Sequence, residues 1–97
     1  MFIVLLKFSD NKSEAKTYME GHNAWVKWGF DEGVFLLAGS IKPGAGGTVV
    51  AHNITRDELE ECVNQDPFVQ YDVVTPEILE ISPAKVDHRL SFLAADS

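Results

Sequence analysis

The chain has 97 residues, of which 45% are hydrophobic and 24% are charged, and its formal net charge is -7. This length fits a single domain of ordinary globular composition. Eight basic residues against fifteen acidic ones disfavour binding to nucleic acid or to an anionic membrane, and the single cysteine excludes an intrachain disulfide.

The segment Phe2 to Phe8 is a run of strand-forming residues in which nearly every position is apolar. Such a run is typical of a strand that is buried on both faces. Helices in so short a chain can cover only one face of a sheet. We therefore expect a partner chain to cover the other face. The uninterrupted apolar stretch over residues 1–6 ends at Lys7 and is too short for a signal peptide or a membrane span. We therefore expect a cytoplasmic protein.

The segment Glu14 to Glu32 has the periodicity of a helix. Its apolar side recurs at spacings of three and four residues. The positions on that side are Tyr18, Met19, His22, Trp25, Val26, Gly29 and Phe30. Gly33 is a suitable residue to end this helix.

The next part predicts a hairpin and a second helix. Val34 to Ile41 and Thr48 to His52 are two apolar strands, and the glycine-rich turn between them joins them. Thr55 and Glu58 form a capping box that begins a short helix.

The last part predicts a fourth strand over Tyr71 to Ser82, where Pro76 favours a bulge or an edge position. Alternating residues from Val86 to Phe92 indicate a fifth short strand in a tail that begins at Pro83.

The predicted order is strand, helix, strand, strand, helix, strand, which is the α+β ferredoxin-like βαββαβ arrangement. We expect one domain over residues 1–97, with a core over 1–82 and a C-terminal extension over 83–97. One sheet face would carry the helices. The other face is apolar, as interfaces are, and two such sheets packed face to face would form a dimeric α+β barrel.

Asp66 and His22 each have a structural and a chemical interpretation. Proline restricts the residue before it to extended conformations, so Asp66 before Pro67 is suited to cap a turn or to reach another side chain. His22 lies on the apolar side of its helix, where a half-buried histidine bonded to a backbone carbonyl is the alternative interpretation. A carboxylate bonded to one ring nitrogen would fix the tautomer and suit the other nitrogen to general base chemistry near neutral pH.

Other polar residues are weaker candidates. Ser40 ends the second strand and is more typical of a turn than of a nucleophile, since no triad pattern accompanies it. Cys62 fits a small core residue. The three histidines lack metal-ligand spacing, so we expect no metal and no cofactor.

Three segments resemble the YCII-related (YciI-like) family of small dimeric α+β barrel proteins. They are the first helix with His22, the segment Gly33 to Ser40 with its Ala-Gly pair, and the segment Gln65 to Val69 with its Asp-Pro-Phe sequence. The resemblance implies a homodimer, with a higher oligomer left open, whose cleft holds a catalytic pair that falls here on His22 and Asp66. One branch of the family is associated with dehalogenation of a chlorinated muconolactone.

We consider two functions. In the first, the protein is a small-molecule enzyme, a cofactor-independent lyase, isomerase or dehalogenase-like enzyme, in which the His-Asp pair performs general acid/base chemistry on a carbonyl or lactone compound. The predicted substrate-binding residues are Ser40, Trp25, Phe68 and Tyr71. In the second, the dimer is a non-catalytic module that binds a small ligand or assists another enzyme.

Overall fold

The computed structural model describes residues 1–94, which form a four-stranded antiparallel sheet in the order β2-β3-β1-β4. The elements in chain order are β1 (Phe2–Phe8), α1 (Ala15–Asp31), β2 (Phe35–Ile41), β3 (Gly46–Ala51), α2 (Arg56–Asn64), α3 (Pro67–Gln70), β4 (Val74–Glu80) and α4 (Ser91–Ala94). Short 3₁₀ turns precede α1 (Lys12–Glu14) and α4 (His88–Leu90). The predicted ferredoxin-like α+β arrangement is confirmed.

Strand β1 lies inside the sheet and separates its two faces. Phe2, Val4 and Leu6 are buried on the helix-covered face, whereas Ile3 and Leu5 on the opposite face are half-buried. Burial in this chain therefore alternates along β1, although the apolar run predicted burial on both faces. The opposite face, called here the open face, is the one that no helix of the core covers.

Helix α1 is held against α2 through Trp25, whose indole N–H donates a hydrogen bond of 2.9 Å to the carbonyl of Cys62. The helix ends at Asp31 and is followed by Glu32 at the C-cap and by Gly33, which has a φ of +72°. Glycine adopts this left-handed conformation without the cost that a side chain brings. The predicted helix end is confirmed.

Helix α2 begins with the predicted capping box. The Thr55 side chain accepts a hydrogen bond from the Glu58 N–H, and the Glu58 carboxylate accepts one from the Thr55 N–H. Leu59, Cys62 and Val63 form its buried side, also as predicted. The end of α2 leads directly into the turn at Asp66.

Strand β4 is an edge of the sheet, which agrees with the proline in it. Pro76 pairs with Leu6 of β1 in the sheet register and supplies no N–H donor, so an edge is where it is tolerated. The strand is shorter than predicted, because residues 71–73 belong to the turn after α3.

The tail is helical, and the predicted strand over residues 86–92 is wrong. The Asp87 carboxylate accepts a hydrogen bond from the Arg89 N–H and begins a helical turn that continues into α4. Leu93 is buried, and the Phe92 ring contacts the His52 ring with centroids 5.6 Å apart. The last residues of the predicted extension, 95–97, lie outside the described residues. In the part of the chain that is described, no helix is long and apolar enough to cross a membrane.

Candidate active site

Asp66 caps the start of helix α3 and is the only charged residue among the buried side chains of residues 1–94. Its backbone is extended, with φ of -64° and ψ of 123°, and Pro67 occupies the first helical position. One carboxylate oxygen, Oδ1, accepts a hydrogen bond of 3.0 Å from the Phe68 N–H. The capping role that the Asp-Pro pair predicted is therefore present in the structure.

His22 of α1 lies against the same carboxylate. Its Nδ1 is 2.9 Å from Asp66 Oδ1 and 3.0 Å from Oδ2. Because an ionised carboxylate only accepts hydrogen bonds, His22 donates its Nδ1–H to Asp66. The bond to Asp66 leaves Nε2 as the nitrogen through which the ring can act on another molecule. The two predicted roles of Asp66, cap and histidine partner, coexist.

The contact between α1 and α3 depends on a small residue beside His22. A Cβ built on Gly21 would lie 3.0 Å from Cγ of Pro67. The two helices therefore approach closely at this point, and the approach brings His22 within hydrogen-bonding distance of Asp66.

Phe68 holds the imidazole from its flat side. The rings of His22 and Phe68 are stacked, with centroids 4.0 Å apart and planes at 5°. Phe68 is itself buried, so its ring has little freedom to move away. The histidine is thus restrained by a hydrogen bond in its plane and by a ring on its face.

A cavity of about 240 Å³ lies between α1 and the helix-covered face of the sheet, and His22 is part of its wall. The lining residues are Leu6, Phe8, Met19, His22, Asn23, Gly39, Ser40, Gly46, Gly47, Phe68 and Val74. Three of the predicted site residues, His22, Ser40 and Phe68, meet here. Asp66 is fully buried and bonds the ring edge of His22.

Two predicted substrate-binding residues, Trp25 and Tyr71, are not among those lining residues. Trp25 is in the core, where its ring packs edge-on against Phe35 at 5.0 Å. Tyr71 is half-exposed and stacks on Tyr18 with centroids 4.2 Å apart.

Leu6, Phe8 and Met19 are cavity residues that the sequence analysis did not single out. Leu6 and Phe8 are inward positions of β1, and Met19 lies on α1 one turn before His22. The sequence places Leu6 and Phe8 on the same face of β1 as Phe2, and Met19 on the same side of α1 as His22. That these residues line a cavity follows only from the strand register and from the position of α1 over the sheet.

Cys62 lies in the core of α2, as predicted. Burial raises the pKa of its thiol, and the negative charge of Asp66 acts in the same direction. The thiol is therefore protonated near neutral pH and is a poor nucleophile. Within residues 1–94, no three His, Cys, Asp or Glu side chains are grouped so as to hold a metal ion.

The fold and the site define a small ferredoxin-like α+β protein with a buried carboxylate, a histidine bonded to it and a cavity beside the histidine. A YCII-related domain model matches residues 1–84, so the chain belongs to the YCII-related family. No curated protein matches the chain.

Among solved structures, the chain resembles 5-chloro-2-hydroxyhydroquinone dehydrochlorinase (TftG) from Burkholderia phenoliruptrix AC1100, in complex with 2,5-dihydroxybenzoquinone. The match has a TM-score of 0.62 and 13% sequence identity, and it covers 82% of this chain and 91% of the other. At this identity the likeness shows the shared fold.

Proposed function

We propose that this protein is a small-molecule enzyme in which His22 and Asp66 perform general acid/base chemistry on a carbonyl or lactone compound. The observation that carries the proposal is the fully buried Asp66 carboxylate bonded to Nδ1 of a histidine that lines a cavity. Burying a carboxylate costs free energy unless the carboxylate is paired. Because the paired histidine lines a cavity, the pair fits a catalytic role better than a purely structural one.

In the proposed mechanism, Asp66 holds His22 in the tautomer whose Nε2 accepts a proton. Nε2 removes a proton next to the substrate carbonyl, and the imidazolium that forms stays next to the carboxylate. The Ser40 hydroxyl or a backbone N–H near Gly39 would bond the substrate oxygen on which negative charge develops. A positioned general base of this kind accelerates a reaction by about 10²–10⁴-fold.

The neighbour of similar fold is a dehydrochlorinase, and for this chain we propose an elimination or an isomerisation that needs no cofactor. In an elimination, the C–H electron pair forms the new double bond and chloride leaves with the C–Cl pair, so the protein has to supply only a base and a site. In an isomerisation, the same nitrogen returns the proton at another carbon. Both reactions need what this cavity contains: one histidine held in one orientation.

The test is a panel of small carbonyl compounds and lactones, some chlorinated, incubated with the protein in deuterated water. Hydrogen–deuterium exchange next to the carbonyl is followed by NMR, and chloride release is measured for the chlorinated members. We expect His22→Ala to reduce any observed rate at least about 100-fold. His88→Ala is the matched control, because that histidine is exposed in the tail.

Undiminished turnover by His22→Ala would reject the catalytic role. Wild-type protein that binds panel members in the cavity but exchanges no proton would favour the alternative function, a non-catalytic binding or accessory module.

We also propose a homodimer that forms through the open face of the sheet. One apolar side chain from each strand forms a continuous row across this face: Leu37 pairs with Val50, Val50 with Ile3, and Ile3 with Leu79. Leu37 is 52% exposed and Leu79 is 40% exposed. An apolar row across all strands is typical of an interface, and a second copy of the same face would cover it.

Light scattering after size exclusion tests the dimer. We expect a mass of two chains for the wild type and of one chain for the double variant Leu37→Lys/Leu79→Lys. Leu90→Lys, a similar change in the tail, should leave the mass unchanged. A monomeric wild type at micromolar concentration would reject the proposal.

A further inference from the structure

The size of the cavity suits an occupant with one ring. Its volume is about 240 Å³, whereas an apolar cavity of about 150 Å³ holds benzene and drug-sized ligands occupy about 300–1,000 Å³. A single six-membered ring with a few small substituents fits between these values. A second fused ring with the same substituents would extend beyond the apolar wall.

The wall is apolar on most sides. Leu6, Phe8, Met19, Phe68 and Val74 contribute hydrocarbon surface, and the glycines of the β2–β3 hairpin contribute backbone. A flat ring whose only polar atoms are at its edge can pack against such a surface. The apolar wall therefore favours a ring with few substituents.

The polar groups on the wall carry no fixed positive charge. They are the side chains of His22, Asn23 and Ser40, and no Lys or Arg is among the described lining residues. Lys12 places its ammonium 4.9 Å from the centre of the Phe8 ring, but it is an exposed residue outside that lining. Asn23 and Ser40 can each donate and accept hydrogen bonds, which suits hydroxyl and carbonyl oxygens.

The charge nearest to His22 is negative. Asp66 is fully buried and its carboxylate is 2.9 Å from His22 Nδ1. If His22 is neutral, an anion in the cavity would be repelled by Asp66. If His22 is protonated, the pair has no net charge to offer. In either state an anionic ligand would lose its hydration without meeting a net positive charge.

We infer that the cavity selects uncharged single-ring compounds that carry hydroxyl or carbonyl oxygens, and that it discriminates against carboxylates of the same shape. This inference rests on the proposed function in that it concerns the same cavity. It adds the charge and the size of the compound on which His22 would act.

The test uses ligands matched in shape. 4-Hydroxybenzamide and 4-hydroxybenzoate differ by one charge, and 6-hydroxy-2-naphthamide adds a second ring to the amide. Dissociation constants are measured by NMR titration of the backbone amides at neutral pH. We expect the single-ring amide to bind at least about tenfold more tightly than either other compound, which corresponds to about 1.4 kcal/mol.

Two variants locate the binding. Ser40 pairs with Gly47 on the sheet face that also carries Leu6, so Ser40→Leu directs a larger side chain toward the cavity. This variant should abolish the chemical-shift changes that the ligand causes. Ser91→Leu, the same substitution at an exposed position that begins α4 in the tail, should leave the chemical shifts unchanged. Unchanged binding by Ser40→Leu would place the ligand elsewhere and overturn the inference.

Equal or tighter binding of the benzoate would overturn the selection by charge. Equal or tighter binding of the naphthamide would overturn the selection by size. Absence of binding by the single-ring amide would overturn both. These outcomes are distinct from a failure of the proposed function. That function is judged by turnover in His22→Ala, whereas ligand selection is judged by binding to the wild type.

Discussion

Asp66 and Asp87 each cap a helical segment, but one lies in the core and the other lies on the surface. Both have extended backbones, and each carboxylate accepts a 3.0 Å hydrogen bond from the N–H two residues later. Each also has a basic partner. For Asp66 the partner is His22, which comes from another helix, and for Asp87 it is Arg89 in the same segment.

The difference between the two regions is burial. The Asp66 side chain is 0% exposed and that of Asp87 is 49% exposed. Water screens the Asp87–Arg89 pair, and such surface pairs contribute little. Asp66 is shielded from bulk solvent, so its carboxylate depends on the hydrogen bonds from His22 and the Phe68 N–H. The same local motif becomes a candidate site only where another element covers it and supplies a titratable partner.

The largest effect is expected from Asp66→Ala. The substitution removes both the cap of α3 and the acceptor of the His22 Nδ1–H, and we expect the free energy of unfolding to fall by about 3 kcal/mol. Urea unfolding at one fixed protein concentration measures it, followed by tryptophan fluorescence, to which buried Trp25 contributes.

Asp66→Asn is the matched control for this loss. Its side-chain oxygen can still accept hydrogen bonds from both Phe68 and His22, so we expect it to lose less than half as much stability. An Asp66→Ala protein as stable as the wild type would mean that the buried carboxylate contributes no more than a surface cap.

This comparison also shows how much the sequence could predict. The order of strands and helices followed from periodicity, and the cap at Asp66 followed from the proline after it. The pairing of Asp66 with His22 needed the family resemblance, because the two residues are 44 positions apart. Local sequence patterns do not predict which helix will pack over which turn.

The tail and the cavity walls could not be predicted for the same reason. Alternating residues around Asp87 were consistent with a strand, but the cap formed with the Arg89 N–H favours a helical turn. Trp25 shares the apolar side of α1 with His22, and only the packing of α2 decides that its indole bonds the Cys62 carbonyl in the core. Such choices depend on contacts between distant segments.

An intermediate effect is expected at Thr55, a cap without a buried charge. Thr55→Ala removes the side-chain acceptor of the Glu58 N–H at the start of α2, which should lower the free energy of unfolding by about 1 kcal/mol. The same urea experiment measures it. Thr55→Ser keeps the hydroxyl and should stay close to the wild type. A loss as large as that of Asp66→Ala would remove the distinction between exposed and buried caps.

The smallest effect is expected at Asp87, and it has a definite pH dependence. The hydrogen bonds from Arg89 lower the pKa of the Asp87 carboxyl in the folded chain. A lowered folded pKa stabilises the folded state above the ordinary Asp value, and this contribution disappears as the pH falls through the lowered value. The thermal midpoint of Asp87→Asn should therefore lie at or barely below that of the wild type near neutral pH. It should coincide with that of the wild type in strong acid, where the carboxyl is protonated in both folded and unfolded chains. A difference that grows on acidification would mean that the charge of Asp87 opposes folding. In that case exposure alone would not explain why one capped aspartate lies at a candidate site and the other does not.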